Sequence, residues 1–387
     1  MSFQLTKEQK MIQKMAREFS RKVLADTAAE RDKTHEYPAE NLKHMGELGL
    51  LGMMVSEKYG GEGMGTLEYS LALSEVAYSC ASTAVIMSVH NSICNGSIEK
   101  FGTEEQKEEF LRPMAEGKFI GAFALSEPEA GSDPQGMTCT AEKDGDHYII
   151  NGTKRFITTG KNSGVTILIA RTSPEGTSGI SAFLITHDME GFEVGRIEDK
   201  MGQCASDTTD LLFDNCRVPA SRMLGKEGDG FYIAMSGLDA GRIGIASLSL
   251  GIANAAFDES VKYSKQRKQF GSAITDNQGI RWMIADMAME IEAAKLLILN
   301  AANTKDRGED CSVQASMAKC YASDMAQNIT GQAIQLHGGY GYTKEYPVER
   351  FYRDARITTI YEGTNQIQRI VIANNILKNG KKSKKRK

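Results

Sequence analysis

The sequence predicts an α+β fold with segregated layers: helices, then strands, then helices. Three observations predict it. Apolar residues recur at helical spacing up to about Phe119. The period shifts to alternation between about Ile120 and Gly230. Helical spacing then returns from about Phe231 to Leu377.

In the first stretch, Thr6 and Gln9 have the spacing of a capping box. Ile12, Met15, Phe19 and Val23 follow as one face of a helix. "KYGGEGMG" reads as a glycine-rich loop. "FGTEEQKEEFLRPMAEG" reads as a short capped helix ended by Pro113 and Gly117. In the middle stretch, Asp144-Gly145 and Asn151-Gly152 are two hairpin signals between alternating runs. "GVTILIARTS", "ISAFLITHD" and "TDLLFDNCRV" continue as strands. Such short, closely spaced strands point to a small barrel or sandwich and not to a parallel sheet. In the last stretch, Ile280, Met283, Ile284, Met287, Ile291, Ala294 and Ile298 mark the apolar face of a long helix.

The chain has 387 residues, enough for two or three packed units. With 46 basic against 50 acidic side chains, its net charge of -4 calls for neither nucleic acid nor an anionic membrane. Six of the last seven residues, "KKSKKRK", are basic and read as a solvated tail. Seven cysteines without a CxxC pair predict reduced thiols in a cytoplasmic setting. The six histidines lack metal-ligand spacing, so no metal is expected. The amphipathic N-terminus does not read as a signal peptide, and no apolar run reads as a membrane span.

Glycine is frequent, yet "GGEGMG", "GKEGDG" and "HGGYGY" do not make GxGxxG, and no GxxxxGK[ST] occurs. A dinucleotide would have to be held by dispersed groups. "IYEGTNQIQR" raises a further question about Glu362. On local grounds, Glu362 and Thr364 read as caps for a helix running through Ile367, Ile370 and Val371.

Separated segments answer that question. "FALSEPEAGSD", "INGTKRFITTG", "LDAGRIGIA", "QRKQFG", "QLHGGYGYTKEYPVERFYRDARI" and "IYEGTNQIQR" resemble the flavin-dependent acyl-CoA dehydrogenases, in order and over nearly the whole chain. The branch resembled is the short-chain, butyryl-CoA dehydrogenase-like one. The resemblance implies an N-terminal helical domain (1–119), a central β-domain (120–230), a C-terminal four-helix bundle (231–377) and a basic tail (378–387). It also implies FAD, an acyl-CoA substrate, electron-transfer flavoprotein as electron acceptor, a homotetramer and a place in fatty acid metabolism.

Implied site residues follow position by position. Glu362 matches the base that takes the α-proton of an acyl thioester, while the β-hydrogen leaves as hydride. Its backbone N–H, with a flavin hydroxyl, would bind the thioester oxygen. Tyr361 and Gly363 shape that loop at the substrate. Phe123, Leu125 and Ser126 match the flavin edge, and Phe156, Ile157 and Thr158 match its other side. Gly131 and Ser132 match the pyrophosphate or the pantetheine. Arg267, Gln269 and Phe270 match a group reaching a neighbouring subunit's FAD, with Gln335, Gly338 and Gly339 on that same half. Gln278 is a further implied cofactor contact. Thr364 and Gln366 match contacts near the ADP of their own FAD. Phe231, Met235, Leu238 and Asp239 match a wall of the substrate channel, and Arg242 a CoA-side position.

Some branches of the family carry the base on the helix within "LDAGRIG". Here that slot is Gly241, which supports Glu362. Cys204 stands where relatives commonly have arginine, and Pro134 is unusual after "GSD". His90 or Asn91 could read the acyl end. The alternatives left open are a branched or alicyclic acyl group, operation as an enoyl-CoA reductase, and an oxidase sibling. A flavin-bearing, nucleic-acid-associated relative is the alternative of a different class, and the basic tail is its one support.

Overall fold

The computed structural model describes residues 4 to 383. The expectation for the basic tail beyond Ser383 falls outside the described residues. Helices fill the chain before Ile120, eight strands run from Ile120 to Leu224, and four long helices dominate the rest.

The first helix, Lys7–Phe19, opens on the predicted capping box: Thr6 and Gln9 each accept from the other's backbone N–H. Its inner side meets Thr66–Ser79, where Arg17 and Arg21 both bind the carboxylate of buried Glu75. Pro113 does not end its helix. The chain widens into a π-helical turn at Lys107–Leu111, and the helix then runs to Ala115. The wide turn is an arrangement that tolerates a residue without an N–H. Gly117, at positive φ, follows the helix end.

The strands β1 (Ile120–Ala124), β2 (Thr140–Asp144), β3 (His147–Thr158), β4 (Ser163–Arg171), β5 (Ile180–Ile185), β6 (Phe192–Ile197), β7 (Thr208–Pro219) and β8 (Met223–Leu224) form one sheet. Its path is β6-β7-β3-β2-β4-β5-β8, with β1 added beside β4. Most pairs are antiparallel, but β1 and β2 each run parallel to β4. The sheet is therefore mixed and mostly antiparallel, in keeping with the expectation that it is not a parallel sheet. Parallel neighbours need a long crossover, and the intervening chain that contains β3 supplies it.

Of the two hairpin signals, Asp144-Gly145 makes the β2–β3 turn, with Asp144 paired to His147. Asn151-Gly152 does not turn the chain. It lies inside β3, where the register against β7 shifts between Ile150 and Gly152. Gly152 has φ 144°, and a Cβ there would lie 2.8 Å from the Cys139 backbone. The signal was a bulge, and close backbone approach explains the glycine.

The 37-residue helix Gly230–Gln266 is the spine of the molecule. It packs against Ser312–His337, Thr66–Ser79 and Gln278–Asp306. Its buried row includes Ile243, Ile245, Leu248 and Ile252. Small residues let neighbours close in: a Cβ on Gly251 would lie 2.3 Å from the Ser74 carbonyl oxygen. This helix is long and apolar enough, by length and composition, to cross a membrane, but it is mostly buried inside the protein. It is a core helix, apolar along its middle turns because partners pack around it there. Gln278–Asp306 has the predicted apolar face, with Met287, Ala294 and Ile298 buried. The fourth long helix is Asn365–Ser383.

Candidate active site

Three elements meet around Glu362. The first is the turn that carries it, between the short helix Val348–Arg356 and the last helix. Glu362 is a non-glycine residue at positive φ, 54°, and Gly363 follows at 84°. Capping belongs to Thr364 alone, whose hydroxyl accepts from the Ile367 N–H at 3.3 Å. The second element is the spine helix at Gly241. A Cβ on Gly241 would lie 2.5 Å from Glu362 Oε2. The carboxylate of Glu362 therefore sits in space left by the missing side chain. The Gly241 slot and the Glu362 carboxylate converge on one point. The third element is the helix Ser312–His337, which sends Lys319 to the turn.

Burial pushes the Glu362 carboxyl up to about 7, against the opposing pull of Arg242 and Lys319. Its Oε2 is buried and has no hydrogen-bond partner. A half-buried acid with a free, desolvated oxygen is poised to accept a proton near neutral pH. Arg242, which the resemblance puts on the CoA side, is buried on the spine helix, and its Nη1 donates to Asp239 Oδ1 at 2.6 Å. One helical turn separates the pair, so they lie on one face. Burial pushes the Asp239 carboxyl up.

Phe231, Met235, Leu238, Asp239 and Arg242 recur at helical spacing and share that face. Phe231 and Met235 pack on the same apolar cluster as Phe123 and Leu125 at the end of β1. The expected substrate wall and flavin edge are thus brought together. Ser126 is tied to β3 by the Arg155 N–H, which donates to its carbonyl at 2.9 Å. Beyond that point β3 shifts register between Lys154 and Ile157. Phe156 has φ 61° there and is 59% exposed, while Ile157 is buried beneath it and Thr158 ends the strand. The shift turns an aromatic ring outward beside Leu125 and Ser126. Gly131 and Ser132 are exposed on the following loop, and nothing crowds Gly131. Pro134 opens a short turn there, held by Arg171, whose Nη2 donates to the Gln135 carbonyl at 2.6 Å.

A second cluster lies at the far end of the spine. Arg267, Gln269, Gly338 and Gly339 line one cavity of about 550 Å³, with Tyr263, His337 and Tyr340. Arg267 stacks over Tyr340. Phe270 is fully exposed at positive φ, and Gln278, Gln335 and Gln366 are also exposed. Gly241 and Arg267 are separated by about 39 Å along the helix at 1.5 Å rise per residue. The structure therefore divides the expected cofactor residues between two places.

Sequence reasoning passed over several residues that hold the site. Lys154 and Glu127 are a buried ion pair at 2.7 Å. The same lysine donates to the Leu125 carbonyl, and Glu127 accepts from Thr138 and Cys139. Together they fix the loop after β1. Gln203 donates to the Tyr361 hydroxyl at 3.2 Å and, from its backbone, to buried Asp354. Burial pushes Asp354 up to about 6. Cys204 belongs to this docking loop and lies near Asp32 and Asp354. His90 and Asn91 cannot read an acyl group. His90 bonds the Gly121 N–H and the Met114 carbonyl, and Asn91 bonds Met53, Leu50 and Met87. Burial drives the His90 imidazole down to about 4, so it joins the layers as a neutral ring.

Three family models match the chain: the N-terminal domain of acyl-CoA dehydrogenase over residues 6–118, the middle domain over 122–216 and the C-terminal domain over 228–377. The chain belongs to the acyl-CoA dehydrogenase family. As a member it is an oxidoreductase. A short-chain specific acyl-CoA dehydrogenase of Clostridium acetobutylicum is 48% identical, over 98% of this chain and 100% of the relative. An acryloyl-CoA reductase (NADH) of Anaerotignum propionicum is 47% identical, over 98% of this chain and 96% of the relative. Butyryl-CoA dehydrogenase from Megasphaera elsdenii superposes with a TM-score of 0.95 at 46% identity, covering 97% of this chain and 100% of that one.

Proposed function

We propose that the protein removes two hydrogens from adjacent carbons of a short-chain acyl-CoA, yielding the trans-2-enoyl-CoA. The observation that carries this is the buried, unpartnered carboxyl oxygen of Glu362 against Gly241. Glu362 takes the α-proton on Oε2, and its raised pKa makes it a stronger base than an exposed glutamate. The Glu362 backbone N–H stabilises the thioester oxygen as charge develops there. Tyr361 and Gly363 set the direction of that N–H. The wall of Phe231, Met235 and Leu238 excludes water from the acyl group, which strengthens every charge interaction inside.

The residues present fit a flavin dinucleotide. An exposed aromatic ring at Phe156 stands beside the backbone of Leu125 and Ser126, and Gly131 leaves its loop open to close approach. When bound, FAD supplies the acceptor for the β-hydrogen as hydride, held by Phe123, Leu125, Ser126, Gly131, Ser132, Phe156, Ile157, Thr158, Thr364 and Gln366. Arg267, Gln269, Gly338 and Gly339 gather at the far end of the spine, and in this reading they, with Phe270, Gln278 and Gln335, serve a neighbouring chain's cofactor. They support a homo-oligomer, a tetramer in this reading, in which each chain reaches its neighbour's cofactor. Electrons pass onward to electron-transfer flavoprotein. The acryloyl-CoA reductase relative supports operation in the reducing direction as well.

Anaerobic bleaching of the flavin with a panel of linear, branched and alicyclic acyl-CoA thioesters tests the reading. Butyryl-CoA is expected to bleach fastest. Bleaching by none of the panel would overturn the reading, and a preference for branched thioesters would move the protein to another branch.

A further inference from the structure

Glu362 and Gly363 are consecutive residues in the left-handed region. A glutamate held there is strained by crowding of its Cβ. Groups outside the turn must hold it in place. Two side chains do so, and neither has a part in the reaction above. Lys319 Nζ donates to the Gly363 carbonyl at 2.8 Å and to Asn365 Oδ1 at 2.9 Å. Gln368 Nε2 donates to the Glu362 carbonyl at 3.1 Å and to the Gly363 carbonyl at 2.9 Å. Lys319 and Gln368 are both 0% exposed. Asn365 is itself fixed by Ser323 and Asp324.

The hydrogen bonds alone do not require a lysine, since a neutral amide could donate to the same oxygens. A buried ammonium is costly unless its charge is used. Among the described residues no carboxylate forms a close ion pair with Lys319, and Glu362 is the carboxylate with the largest electrostatic influence on it. The other cation near Glu362 is Arg242, already bound to Asp239 on the spine helix. The remaining titratable groups around the acid are Tyr361 beside it, Tyr69 on Thr66–Ser79 and Cys94 on the π-helical segment Val89–Asn95. Lys319 in turn faces Cys320 and Asp324 on its own helix.

We infer that Lys319 is a positioning residue for Glu362: it fixes the strained turn through the Gly363 carbonyl, and its charge favours the ionised carboxylate, while Gln368 is the neutral half of the same clamp. The inference rests on the reading of Glu362 as base. Burial lowers Lys319 to about 8 and raises Glu362 to about 7, so the two are charged together over a narrow span near neutrality.

The test is an infrared difference titration of the Glu362 carboxyl in the holoenzyme, assigned by its loss in Glu362→Gln. A kcat–pH profile with butyryl-CoA accompanies it. Lys319→Gln removes the charge and keeps a donor. It is expected to move the midpoint upward by about one pH unit, a tenfold loss of ionised acid, with KM changed by about twofold or less. Gln368→Leu keeps the charge. It is expected to lower kcat about tenfold at every pH with the midpoint fixed to about 0.3 unit. An unmoved midpoint in folded Lys319→Gln overturns the inference. Should that variant not fold, the coupling is read from the other side. Charge coupling is reciprocal, so Glu362→Gln must lower the Lys319 midpoint, followed by NMR of ¹⁵N-lysine-labelled holoenzyme. An unchanged Lys319 midpoint there sinks the inference too. Full turnover in Glu362→Gln would refute the base reading instead, and it leaves both midpoints measurable.

Discussion

The two ends of the spine helix make opposite use of the same element. Near Gly241 it is walled in, and a single acid lies against it in space left by a glycine. At Arg267 it emerges into an open cavity beside a fully exposed phenylalanine. The first end is complete within one chain: acid, counter-charges and strained turn all lie among helices that pack on each other. The second end has polar and aromatic groups without a cover. Desolvation therefore controls the first end, and in the proposed oligomer association would control the second.

That contrast breaks most readily at the acid. Glu362→Gln keeps the shape and removes the proposed base, so turnover is expected to fall about 10³-fold while flavin content stays normal. Stopped-flow bleaching measures the first and the absorption spectrum the second. Next in size is Gly241→Ala. Its new Cβ must displace the carboxylate, and a fall in kcat of about tenfold to 100-fold is expected, with about 1–3 kcal/mol lost in stability. Unchanged kcat in that variant would mean that the acid does not work where the structure holds it.

The pH response sharpens the same point. Turnover should climb as pH rises through about 7, as Glu362 ionises. Stability should run the other way. The folded state holds this proton more tightly than the unfolded chain does, so the benefit is full below the ordinary glutamate pKa. It is lost as pH rises through about 7, to a total of at most about 3 kcal/mol. Denaturant melts of wild type and Glu362→Gln between pH 4 and 8 would reveal it. The variant should lack that part of the slope.

Smaller effects are expected at the open end. Arg267→Ala should loosen flavin retention about tenfold, the worth of one charge-assisted contact, and leave bleaching per bound flavin unchanged. Phe270→Ser should change the stability of the fold by about 0.5 kcal/mol or less, because its ring touches solvent. It should still shift the assembly toward smaller species in sedimentation. An unaltered assembly would argue that this face is not a contact between copies.

Some of this was legible in the residues. The order of layers and the capping box at Thr6 stand in local pattern, whereas the segments around Glu362, Phe156 and Arg267 were legible only through their resemblance to a family. What was misread shows where local pattern fails. Asn151-Gly152 has the chemistry of a turn, yet β7 and the Cys139 backbone make it a bulge. Pro113 has the chemistry of a helix end, yet a π-helical turn lets the helix pass. His90 has the chemistry of a polar probe, yet its partners, Gly121 and Met114, come from parts of the chain distant in sequence. Lys319 was legible only as a lone lysine among Ala315, Ala318 and Ala322, all of which are buried.

By itself the sequence determined which chemical groups are available and in what order: an acid beside a glycine, a helix that leaves a gap at Gly241, and an apolar period that changes twice. These are properties of neighbours along the chain. Only the tertiary structure decided that Glu362 reaches the gap at Gly241, that Lys319 and Gln368 hold its backbone in a costly conformation, and that burial raises its proton affinity. Desolvation, close approach and charge pairing all depend on atoms brought together from distant parts of the chain, and no local window contains them.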